Sequence, residues 1–135
     1  MEQFEINLLG ILLAVLYNLI IGSLWYSPMM FGNKWTLLVG RREDDLQGGM
    51  TPGIMLGAIV VALIEALGFS LLKNFTGIDG LFGGLFLGLF VWLVFLVPPL
   101  FNSVLYEKKP RELFFITAGV NMVTFAGMAV IIGII

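Results

Sequence analysis

No cysteine and no histidine occur among the 135 residues, and only 12% of them are charged. Without cysteine there are no disulfides, thiol nucleophiles or thiolate metal sites, and without histidine the commonest general base is missing. Neither a metal site nor a cofactor is expected. Seven Lys and Arg against nine Asp and Glu give a net charge of -2, so nucleic acid would find no basic face. Ordinary soluble domains carry about 25% charged residues. The shortage here comes with 59% hydrophobic residues and a mean hydropathy of +1.03, which is a membrane composition. A length of 135 residues predicts a single transmembrane domain, 1–135, with no room for a separate soluble one.

Four apolar segments, approximately 6–26, 53–72, 80–105 and 113–135, each approach or exceed the roughly 20 residues that cross about 30 Å of hydrocarbon as helix. The first is expected to remain in the mature protein. Its flank "MEQFE" is acidic where a signal peptide is basic, and the apolar run outlasts the usual h-region of about 7 to 15 residues. The connections are short: "GRREDDLQGGMTP" ends in a Thr and Pro that suit a helix start, "KNFTGID" joins the second and third segments, and "YEKKPRE" joins the third and fourth. The fold class is therefore all-α, an integral membrane four-helix bundle of two antiparallel helical hairpins.

Basic residues orient it. Lys34, Arg41 and Arg42 follow the first helix and Lys108, Lys109 and Arg111 follow the third, whereas the opposite side has only Lys73. The positive-inside bias then places both connecting loops in the cytoplasm and both termini outside, in a multi-pass protein of the plasma membrane, which is the inner membrane if the source is bacterial.

The stretch "GSLWYSPMMFGNKW" reads as the exit of the first helix. Trp25 and Tyr26 are interfacial anchors at headgroup depth, and Pro28 pushes the residue before it out of helical geometry. Segment 28–39, with Trp35 as a further anchor, is either a short amphipathic element along the interface or a packed loop under the bundle.

At "WYSPMMFGNKW", "WLVFLVPPLFN" and "LYEKKPRELFFITAGVNMV" the chain resembles the small membrane proteins catalogued as domain of unknown function 1761. Trp25, Tyr26, Ser27, Pro28, Phe31, Gly32 and Trp35 match that family's first motif and Trp92 its second. The turn before the last helix departs from the pattern, with two lysines and Pro110 where a small residue follows the Glu. The resemblance covers nearly the whole chain and implies four helices. It implies no assigned activity and supplies no catalytic residues.

Polar groups within the hydrocarbon are the candidates for a site, because each is costly there and tends to face a partner or a cavity. Counting 1.5 Å per residue from the cytoplasmic ends puts Glu65 about 18 Å deep, Asn18 and Asn121 about 14 Å deep, and Trp92 about 20 Å deep. Glu65, Asn18 and Asn121 are thus expected to share one layer. Glu65 either serves as a structural hydrogen-bond partner of Asn18 or Asn121, or exchanges a proton for a cation. Trp92 either lines an apolar ligand pocket or faces lipid. Pro98, Pro99 and Asn102 form a kink or gate candidate, in which Asn102 otherwise repairs a carbonyl that the prolines leave without an amide partner. Tyr17 lies about 100 degrees around the helix from Asn18 and is left outside the site.

Small residues at intervals of four mark close-packing faces: Gly10, Ala14, Asn18 and Gly22; Ala58, Ala62, Ala66 and Ser70; Gly80, Gly84 and Gly88. By themselves they mean a compact bundle or an oligomer; because four helices scarcely enclose a wide aqueous path, a homo-oligomer, a dimer most simply, embedded among membrane lipids is expected. An enzyme is not expected, since no nucleophile with a nearby base, no ligand cluster and no phosphate-cradling loop is readable. Two functions stay open: a small proton- or cation-coupled transport or permeation protein using Glu65, and a non-catalytic protein that binds lipid or a partner, its polar residues structural.

Overall fold

A computed structural model describes residues 7–25 and 52–135. The described residues are all-α and contain no strand. The helices are α1 (Leu8–Trp25), α2 (Pro52–Thr76), α3 (Gly80–Val91), a π-helical turn (Trp92–Leu96), α4 (Val97–Tyr106) and α5 (Arg111–Ile134). With Gly80–Tyr106 taken as one span, four helices among the described residues are long and apolar enough to cross a membrane. The anchors Tyr26, Pro28 and Trp35 and the segment 28–39 lie outside the described residues.

Local chemistry sets the ends. Asn7 caps α1, its Oδ1 accepting the Gly10 amide at 3.2 Å, while its Nδ2 donates to the Ile135 carbonyl at 3.0 Å. α2 opens on Pro52, which is preset for a first helical turn. It closes where Gly77 takes φ +73° and its amide bonds the Lys73 carbonyl at 2.9 Å, a left-handed cap that glycine adopts without a Cβ penalty. Asp79 stands at the N-cap position of α3 in extended conformation, yet its side chain makes no capping bond.

The third span is not one regular helix. Pro98 and Pro99 cannot donate amides, and inside an α-helix each would orphan the carbonyl four residues back. Here the turn before them widens, the Val97 amide reaching back five residues to the Trp92 carbonyl, so that both prolines fall in the first turn of α4. A first turn needs no donor. Asn102, expected to be a gate or to repair that backbone, is exposed and makes no side-chain hydrogen bond among the described residues. The π turn absorbs the prolines instead.

α5 is the central helix, the most buried of the four spans and packed against each of the others. Its residues Phe125, Met128, Ala129 and Ile132 form one core with Ile11, Ala14 and Val15 of α1 and Ala62, Ala66 and Phe69 of α2. α3 lies on another side of α5, at backbone distance: a Cβ on Gly84 or Gly88 would come within 2.5 Å of the Ala129 or Phe125 carbonyl oxygen. Only glycine permits that approach. Asn7, Lys73, Gly80, Ile132 and Ile135 meet at one end of the molecule, where the Lys73 ammonium donates to the Ile132 carbonyl at 3.0 Å and Gly133 packs on the Gly80 backbone. A cation there complements the carbonyl end of α5.

Candidate functional site

Asn18 sits on the small-residue face of α1 and Glu65 beside the Ala62 and Ala66 face of α2, so that close contact of the two helices brings these side chains together. The Asn18 Nδ2 donates to Glu65 Oε1 at 2.8 Å and also lies 3.5 Å from the Met128 sulfur of α5. Three helices thus meet at this point. Both polar side chains are half-buried, and the amide presents N–H groups to a carboxyl group in surroundings where an unpaired polar atom is costly. Among the described residues, no buried side-chain nitrogen or oxygen lacks a partner.

Asn121 does not join them. Its amide donates at 3.0 Å to the Thr117 carbonyl one turn back on α5. The expected single layer fails for an axial reason: Met128, not Asn121, stands level with Asn18, and the seven-residue step from Asn121 to Met128 amounts to about 10.5 Å of helix on nearly the same face. Equal depth counted from the helix ends assumed that the ends are level, whereas α5 begins at Arg111 and is staggered against α1.

Trp92 is half-buried, packs on the core, and donates from Nε1 to the Ala118 carbonyl at 2.8 Å, tying the third span to α5 rather than pointing only at lipid. Trp25 makes the same kind of bond from α1, Nε1 to the Ile116 carbonyl at 3.0 Å, with its ring over Gly119. Tyr17, set aside on angular grounds, donates its hydroxyl to the Val123 carbonyl at 2.8 Å and lies against Gly127, where a Cβ would collide with the ring. The signal for these contacts was present as Gly119 and Gly127 in the last apolar segment. Each glycine makes the notch that an aromatic ring from α1 fills.

Glu65 also lines an open groove of about 280 Å³ with Gly68, Phe69 and Leu72 of α2, Val91 of α3 and Phe125 of α5. The Phe69 and Phe125 rings pack edge to face, centroids 5.2 Å apart. Glu65 therefore has its carboxyl group on Asn18 and borders an apolar, partly aromatic groove. An acid so placed is the candidate site of the described residues.

A family model described as "Protein of unknown function (DUF1761)" matches residues 9–133. No curated protein and no solved structure matches the chain.

Proposed function

Because the chain belongs to the DUF1761 family, whose description carries no activity, we propose from its own geometry that it is a small transport or permeation protein with Glu65 as its proton or cation site. The observation that carries this reading is the position of Glu65: one oxygen is held by Asn18, and the side chain borders an open groove instead of being sealed in the core. A carboxyl group placed purely to lock helices has no use for that access. An intramembrane acid that a ligand can approach is the usual equipment of coupled proton or cation movement.

The membrane arrangement that goes with this function is a single four-helix domain of two antiparallel hairpins in the plasma membrane, both termini outside, with Lys108, Lys109 and Arg111 in the cytoplasm. One copy offers little width for an aqueous path, so the working unit is a homo-oligomer, most simply a dimer, among membrane lipids. The protein moves its ligand without chemical conversion and is not an enzyme.

A second reading has its own support. The Asn18 to Glu65 bond is already made and satisfied, which a structural lock in a lipid- or partner-binding protein also requires. Reconstitution separates the two. In proteoliposomes with an internal pH dye, a cation gradient drives proton movement that Glu65→Gln abolishes while helix content is unchanged. Absence of any flux from the parent protein, together with loss of stability in Glu65→Gln, would establish the lock instead.

A further inference from the structure

α2 and α3 are joined by three residues, 77–79, yet touch sparingly. The cause is the pair Gly84 and Gly88, which draws α3 onto the backbone of α5 and leaves the groove between α2 and α3 with Phe125 at its base. Glu65 is the sole ionisable side chain among its six lining residues. The apolar segments 6–26, 53–72, 80–105 and 113–135 contain no Lys or Arg, so these segments offer Glu65 no positive partner.

The lining also decides which kind of cation fits. Calcium takes about 6 to 8 oxygen ligands, and magnesium demands an octahedral set; this groove supplies one carboxyl group and otherwise carbon. Phe69 and Phe125 line the groove with Glu65, and aromatic rings with one carboxyl group suit a cation whose charge is spread over carbon substituents and whose hydration is weak. The volume, about 280 Å³, falls just below the usual range of ligand pockets, about 300 to 1,000 Å³, which limits the ligand to a compact one.

We propose that this groove binds a compact organic monovalent cation, a protonated or quaternary amine bearing one aromatic or short alkyl group, with its charge beside Glu65 and its apolar part along Gly68, Phe69 and Phe125. The inference rests on the reading of Glu65 as a cation site and names the class of cation. Gly68 is the position that admits the apolar part: it lines the groove and a Cβ there meets nothing within 4 Å, so a larger side chain can be placed in this wall without a clash at its Cβ.

The test uses the full chain in nanodiscs of zwitterionic phosphatidylcholine, with radiolabelled benzyltrimethylammonium as probe and its neutral isostere neopentylbenzene as competitor. Infrared spectra of the same samples follow the carboxyl band assigned by Glu65→Gln. Saturable binding is expected above empty nanodiscs, weakened at least about tenfold in Glu65→Gln and in Gly68→Leu, with no competition from neopentylbenzene and a shift of the Glu65 band on adding the probe. Gly68→Leu keeps the test decisive where Glu65→Gln folds poorly. Unchanged affinity in Gly68→Leu, or equal competition by the neutral compound, overturns the proposal. A Glu65 band that responds to pH or sodium while the probe fails to bind overturns the organic cation and leaves the exchange site standing. A band indifferent to pH, sodium and probe alike removes both.

Discussion

The side chains of Asn18 in α1 and Glu65 in α2 meet at 2.8 Å, 47 positions apart in sequence, with the Met128 sulfur of α5 3.5 Å from the same amide nitrogen. This contact ties three spans at a residue that also lines a groove. It joins the stability of the bundle to whatever Glu65 does.

Removing the amide should therefore cost stability. Interhelical hydrogen bonds in membrane proteins average about 0.6 kcal/mol and reach about 1.7 kcal/mol, so Asn18→Ala is expected to lose about 0.5 to 2 kcal/mol in equilibrium unfolding from mixed micelles. Asn102→Ala, at an exposed position without a side-chain bond among the described residues, serves as the reference and should stay within about 0.5 kcal/mol of the parent. Equal losses at the two positions would show that the Asn18 bond contributes nothing.

Glycine positions should divide sharply. Gly88→Ala puts a methyl group within 2.5 Å of the Phe125 carbonyl oxygen, and the backbone of α5 cannot step aside, so about 1 to 3 kcal/mol is lost. Gly57→Ala has nothing within 4 Å and gains about 0.5 to 1 kcal/mol from helix propensity. Thermal melts in one detergent compare the two. A Gly88→Ala protein as stable as Gly57→Ala contradicts the backbone contact of α3 with α5.

Trp92→Phe keeps most of the ring and deletes the donor to the Ala118 carbonyl. That carbonyl still receives its helical amide, so the cost is a single net hydrogen bond, about 0.5 to 1.5 kcal/mol. Hydrogen exchange should locate the effect, with protection falling in the π turn and α4 and not in α1. Uniform loosening of all four spans would place the tie elsewhere.

Topology can be read directly because the chain has no cysteine. Single variants Asp79→Cys and Lys109→Cys sit in turns at opposite ends of the third span. With the termini outside, a membrane-impermeant maleimide labels Asp79→Cys in intact cells and Lys109→Cys only after permeabilisation. The reverse pattern inverts the orientation.

Much of the architecture was legible along the chain. Backbone groups in hydrocarbon must bond within their own segment, so runs of about 20 apolar residues can only become helices; the four spans agree with the segments read from sequence to within a few residues at each end. The stripes through Ala14, Ala62, Ala66, Gly84 and Gly88 face inward because small residues are where helices can approach. The polar residues were equally visible, since Asn and Glu stand out in an apolar run. Composition and spacing are local properties, and local rules suffice for them.

What only the tertiary structure decided is rotation and axial offset. Small-residue spacing marks a close-packing face on a helix but not the helix it meets; contact of Gly84 and Gly88 with Ala129 and Phe125, some 40 residues away, decides that. That choice makes α5 the centre, sets Met128 rather than Asn121 level with Asn18, and turns Tyr17 and Trp25 onto the carbonyls of α5. It also keeps α3 away from α2, which is why a carboxyl group in the middle of an apolar helix borders a groove at all. Helix formation follows from each segment's own backbone and solvent, whereas the stagger between helices follows from which surfaces come closest, and that is a property of pairs.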